Sequence, residues 1–112
     1  MKLLGSDLRF WRNAVASTAS GPAQYHPNLT EAQIRLFEMA TAETAVSNAV
    51  TWPLHQDERI GHRAHEVERT VENVRWFIRD MRETIGACNG RETSVIRVRY
   101  GDDGTVHGQP YC

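Results

Sequence analysis

The chain has 112 residues, which fits one domain. Its 40% hydrophobic and 24% charged residues are the makeup of an ordinary globular protein. A formal net charge of −1 argues against a binder of duplex nucleic acid, and no apolar run approaches the length of a membrane span.

The start of the chain, "MKLLGSDLRFW", has too short an apolar stretch for a secretory leader. Residues 6–18 are predicted as a short helix. Ser6 is its N-cap, and Leu8, Trp11 and Val15 share one side. "STASGPAQYHPN" follows, a loop by its prolines, glycine and small polar residues. A first long helix is predicted over 30–51. Thr30 and Gln33 have the spacing of a capping box, and Glu31 sits where the helix dipole favours an anion. It is rich in alanine and stops before Pro53.

A second helix is predicted over 56–88. Ile60, Ala64, Val67, Val71, Val74, Ile78, Met81 and Ile85 are spaced alternately four and three, a heptad stripe. Asn89-Gly90 would close it. At 1.5 Å per residue this helix spans about 45 Å, against about 30 Å for the first. A short turn, "WPLHQD", makes the two antiparallel, so the stripe outruns its partner and asks for another copy of the chain. The tail, 93–108, reads as a small β-hairpin. Val95, Ile96, Val98 and Tyr100 favour a strand, Arg97 and Arg99 lie on its other face, "GDDG" is the turn, and Thr105–His107 return. The predicted fold is therefore mainly α, a single domain over 1–112. It consists of a long antiparallel helical hairpin, a short N-terminal helix and a C-terminal β-hairpin, assembled as a homo-oligomer.

Catalytic signatures are thin. "YGDD" at Tyr100–Asp103 is shared with the metal-binding hairpin of viral RNA polymerases, but only those four residues match, and a turn explains them. His55, His62, His65 and Glu66 cluster near the start of the second helix without the paired motifs of a helical metal site, and read as solvated side chains. Cys88 and Cys112 do not form a disulfide framework and read as free thiols of a cytoplasmic protein. No nucleophile elbow, P-loop or dinucleotide fingerprint occurs, so no enzyme, metal or cofactor is expected.

Two features point to binding. Trp76 falls opposite the heptad stripe with Arg75 and Arg79 beside it. It needs a second partner, which is either the N-terminal helix or another protein. Pro27 holds His26 extended, so Tyr25 and His26 would flank a helix N-terminus, where free N–H groups attract phosphate and Tyr25 can stack on a base.

Tyr25-His26-Pro27, Gln33, Pro53, Glu58-Arg59, Val67-Glu68 and the "WFIR" beginning at Trp76 together resemble the helical-hairpin proteins with which phages sequester cyclic nucleotide signals, the anti-CBASS and anti-Thoeris sponges. The likeness covers roughly residues 25–80 and leaves out the strand-rich tail. It implies a non-enzymatic multimer holding a cyclic nucleotide or an ADP-ribose-derived ring between subunits, with Tyr25 and His26 as base or phosphate contacts. Arg35 and Arg63 are added on charge alone, as phosphate-neutralising residues. The alternative expectation is a protein–protein interaction module, an antitoxin or an inhibitor of a host protein. It would dock through Trp76, Val67, Val71, Val74 and Ile78.

Overall fold

The computed structural model describes residues 8–51 and 64–112. Among them are two helices and seven strands, α1 (Leu8–Ser17), β1 (Gln24–Tyr25), α2 (Glu31–Thr51), β2 (His65–Arg69), β3 (Arg75–Asp80), β4 (Gly86–Cys88), β5 (Arg91–Thr93), β6 (Val95–Tyr100) and β7 (Val106–Tyr111). The strands make two antiparallel sheets, one ordered β1-β4-β5 and the other β2-β3-β6-β7.

The helix predicted over 30–51 is present as α2, and its start is fixed as the sequence requires. The Gln33 amide N–H donates to Thr30 Oγ1 (3.1 Å) and the Thr30 N–H to Gln33 Oε1 (2.9 Å), a reciprocal capping box. Leu29, one residue before the cap, is buried in the same cluster as Ile34, four residues into the helix, which is the staple that sets the entry angle. The short N-terminal helix is present as α1, and Ser6 lies outside the described residues.

The helical hairpin is not formed. From Ala64 to Cys88 the chain runs as β2, β3 and β4 in place of the predicted second helix; residues 56–63 lie outside the described residues. The reason is visible in the residue types. Most of the stripe, Ile60, Val67, Val71, Val74, Ile78 and Ile85, consists of side chains stiff at χ1 and suited to a pleated surface. Asn73 takes φ +63°, Asn73 N–H donates to Thr70 O and Thr70 N–H to Val74 O, so the segment reverses where a helix would continue. Asn89-Gly90, read as a helix cap, is the two-residue turn between β4 and β5. Its φ values of +53° and +75° suit the turn whose twist matches the flanking strands. The stripe is scattered accordingly. Met81 and Ile85 are buried, Val67 is the extra residue of a bulge, and Val71 is 99% exposed at a hairpin tip. Without that helix there is no continuous apolar stripe left among the described residues for a second copy of the chain to cover.

The C-terminal hairpin forms and is longer than expected, with β7 reaching Tyr111. It is the centre and one edge of the larger sheet and not a free-standing element. Its turn is closed by Gly101 N–H to Thr105 O, and by the Asp103 carboxylate accepting from both the amide and the hydroxyl of Thr105.

α2 lies against β3, β6 and β7. Strand pairing and burial agree on which face it covers. Phe77, Arg79, Ile96, Val98, Val106, Gly108 and Pro110 point inward and are buried. The core joins Ile96, Val98, Val106, Met81 and Ile85 to Leu29 and Ala42, with Ile34 and Phe37 of α2 packed against them. Arg35 Nη1 donates to the carbonyl of Val106, and buried Glu38 accepts the Gly108 N–H at 2.6 Å, so helix and edge strand are tied by polar contacts as well. α1 packs on β4 and β5, where the buried Thr18 hydroxyl accepts the Gly90 N–H.

The two sheets meet where β4 passes β7. A Cβ on Gly86 would lie 2.4 Å from Gln24 O and 2.5 Å from Pro110 Cγ, so only glycine fits. Nearby, Cys88 and Cys112 form a disulfide with Cα atoms 6.2 Å apart, a correction to the free thiols expected from sequence.

Two outcomes check this junction. Gly86→Ala forces backbone and ring apart and is expected to lower unfolding free energy by about 2–3 kcal/mol, read by urea denaturation. The unreduced protein is expected to show no titratable thiol. Cys112→Ser is expected to cost about 3 kcal/mol in the same assay, because it releases a loop closed in the unfolded chain. Reactive thiols in the unreduced protein would contradict the bond.

Candidate functional site

The residues singled out around the opening of α2 are spent on the fold. β1 ends at Tyr25, and the His26 N–H donates to Ile85 O at 2.8 Å, so the chain is sewn to β4 before the helix begins. Asn28 N–H donates to His26 Nδ1 (3.0 Å) and Leu29 N–H to His26 O (2.9 Å), a compact turn made by the histidine itself. His26 is 3% exposed, and its ring lies 4.3 Å from that of Trp11. With Nδ1 accepting, the neutral ring carries its proton on Nε2, a buried donor that finds no partner among the described residues. Burial lowers the His26 pKa, and the Glu92 carboxylate partly opposes that. Glu92 also accepts the Trp11 indole N–H, so α1 is pinned to β5 over the histidine.

Tyr25 points its hydroxyl into the junction of β1, α2 and β7, beside Gly108 and Glu38. Burial raises its pKa, and the negative charge of Glu38 raises it further. An anion would meet that carboxylate first. Arg35, expected to neutralise phosphate, holds Val106 O and stands 3.6 Å from Glu38 Oε1. Arg63 lies outside the described residues. Tyr25, His26 and Arg35 are thus near one another, but as fasteners of the β1–α2 turn and not as walls of an open pocket.

His65 is exposed on β2, and its neighbour Glu66 is held by two arginines. Arg75 Nη2 donates to Glu66 Oε2 at 2.7 Å and Arg69 Nε to Oε1 at 2.9 Å. These bonds, Arg75's first, bring the Glu66 pKa down to about 2. His55 and His62 lie outside the described residues.

The open feature is the other face of the four-stranded sheet. Residues paired directly across strands share a face. His65 and Glu68 of β2, Trp76, Ile78 and Asp80 of β3, Val95, Arg97 and Arg99 of β6, and His107, Gln109 and Tyr111 of β7 therefore point away from α2. None of them is buried, and no described helix packs over them. In the middle of the face the Arg97 guanidinium lies over the Trp76 ring at 4.1 Å from its centroid, and 5.5 Å from that of Tyr111. Tyr111 is 40% exposed. Trp76 and Ile78, proposed from sequence as interface residues, are brought together here. Val67 is exposed at the β2 bulge, Val71 is at the hairpin tip, and Val74 is half-buried at the turn, so these three do not join them. Arg97 and Tyr111 were not singled out. The signal for Arg97 is its alternation with Ile96 and Val98; Tyr111 has none in a reading whose return strand stops at His107.

No protein-family model matches the chain, and searches of curated proteins and of solved structures also return no match.

The buried histidine has a pH consequence. Its folded pKa is depressed below the ordinary 6.5, so the unfolded chain takes up the proton more readily. Stability is whole above that value and falls as pH drops through it. Melting temperature followed from about pH 8 to about pH 5 is expected to decline on the acid side, and His26→Phe to flatten that decline. An equal slope in the variant would show that His26 is not the group responsible.

Proposed function

We propose that the protein is a non-enzymatic interaction module whose working surface is the face of the β2-β3-β6-β7 sheet turned away from α2. The observation that carries the reading is the group at its centre: Trp76 and Tyr111 around Arg97, on a face that no described helix shields. Tryptophan, tyrosine and arginine dominate binding energy at protein interfaces, because each removes a large apolar area from water while keeping a polar handle. A sheet face that carries a half-buried Trp76 and an exposed Tyr111, with no helix over it among the described residues, offers surface that a partner can dry. This moves the docking surface expected on a second helix to a sheet, and keeps Trp76 and Ile78 within it.

Capture of a cyclic nucleotide between copies of the chain is the competing proposal, and less supports it. Its ring and phosphate contacts, Tyr25 and His26, have their polar atoms turned into the fold, and Glu38 places negative charge beside Tyr25. A thermal-shift series with cyclic di- and trinucleotides separates the two, since a ligand bound only to the native state raises its melting temperature.

Location belongs with these proposals. No helix among the described residues is long and apolar enough to cross a membrane. The sequence makes the cytoplasm the default compartment, with no leader, no membrane span and no disulfide framework read from it. The Cys88–Cys112 bond fits an oxidising compartment better, since cytosolic thiols keep most cysteines reduced.

The docking reading is tested by panning a random peptide display library against the immobilised protein. Clones are expected to enrich, to compete with one another, and to lose about tenfold or more in binding to Trp76→Ala or Tyr111→Ala. No enrichment, or clones indifferent to both substitutions, would remove the sheet face as the working surface.

A further inference from the structure

The chemistry of the partner can be read from the same face. Arg97 is enclosed without being satisfied. Its side chain is 28% exposed, its guanidinium lies over one ring and near a second, and it donates no hydrogen bond to a described residue. Its nearest acid, Glu68, stands 3.8 Å away, an ion pair too long for a hydrogen bond. A guanidinium resting over an aromatic ring uses its π face there, which leaves the N–H edges, lying in its own plane, for an acceptor. Held by Trp76, that fork gives up little rotamer freedom when it binds, so a planar oxygen pair meets a prepared donor set.

Two kinds of acceptor have the right oxygens, a carboxylate and a phosphate, and the surrounding charges decide between them. Along the face Arg97 and Arg99 stand on β6, but Glu68 and Asp80 share it. Asp102 and Asp103 lie in the β6–β7 turn at one end of the sheet, and Glu72 lies in the neighbouring β2–β3 turn. A polyanion crossing the sheet would gain one prepared arginine and pass several carboxylates, with a whole-chain charge of −1 giving no long-range attraction. A segment with one isolated carboxylate between apolar side chains avoids that repulsion. Its acid reaches Arg97, and its apolar neighbours lie on Trp76, Ile78 and Tyr111.

Resting on the docking reading above, we infer that this face binds a peptide segment of a partner protein through an aspartate or glutamate held by Arg97 between Trp76 and Tyr111. Arg97 is the anchor. Trp76 positions it, and Tyr111 forms the outer wall.

The test is a parallel display selection on the wild-type protein and on Arg97→Gln, each shown to be folded by circular dichroism. Clones enriched on the wild type are expected to carry an Asp or Glu at a fixed place next to apolar residues, and those from Arg97→Gln to lack it. The leading clone, synthesised with its acid replaced by the amide, is expected to bind the wild type about tenfold more weakly and the variant no differently. Tyr111→Ala, a substitution at an exposed ring, is expected to weaken the acid clone without abolishing its preference over the amide. An oligothymidylate of about a dozen nucleotides, measured by fluorescence anisotropy, is expected to bind more weakly than the acid clone. Clones with no acidic position, an acid preference that survives Arg97→Gln, or an oligothymidylate that binds as tightly would overturn the carboxylate assignment. Neutral clones that are lost on Trp76→Ala would do so while leaving the docking reading standing. An empty selection would overturn both.

Discussion

Among the described residues a single helix, α2, lies against β3, β6 and β7 and can dry only one side of their sheet. Every residue of β3, β6 and β7 is sorted by that asymmetry. The inward set holds the buried apolar Phe77, Ile96, Val98 and Val106 together with the buried Arg79, and it is joined by Gly108 and Pro110, which lie against the helix and the second sheet. The outward set alternates with it in register and keeps Trp76, Arg97, Arg99 and Tyr111 at the surface. The working face proposed for this protein is what remains when the core has taken its half of each strand.

The same economy explains why the most suggestive stretch of the sequence is not the site. Tyr-His-Pro has the chemistry to hold a ligand, but β1 must join the smaller sheet and release the chain into α2 within a few residues. His26 supplies three of the contacts that make this turn: its amide to Ile85, its Nδ1 to Asn28 and its carbonyl to Leu29. A side chain used in this way is buried by its own work. The cost is an imidazole Nε2 that loses water and gains no partner among the described residues. Around it, Trp11, Glu92 and Thr18 fasten α1 over the small sheet, so the N-terminal helix closes this region rather than shielding Trp76.

Parts of this architecture were legible in the residue order because their signals act over one or two turns of chain. Thr30 to Gln33 announces a helix start through a reciprocal bond that needs no tertiary help, and the cap is present. "GDDG" closes a turn by local hydrogen bonds, and the alternation of Ile96 and Val98 with Arg97 and Arg99 gives two faces. The second helix does not form because a spacing alone does not select it. A four-three spacing of apolar residues is what a helix needs, but it also arises when short strands and turns follow one another. Six of the eight stripe residues, Ile60, Val67, Val71, Val74, Ile78 and Ile85, are β-branched, and Asn73 is well suited to a reversal. Asn89-Gly90 ends a helix and turns a hairpin with equal ease, because both need positive φ.

The sequence by itself determined the caps, the turns, the alternation within β6 and the identity of the aromatic and arginine side chains available for binding. These depend on backbone preference and nearest neighbours. Only the tertiary structure decided which of those side chains stay at the surface. Whether Trp76 or Tyr25 meets solvent depends on which elements lie over it, and that in turn depends on pairings between strands far apart in the chain, such as β3 with β6 and β1 with β4. Cys88 and Cys112 make the same point: 24 residues apart in sequence, they become bonding partners only because the end of β7 is folded back against β4.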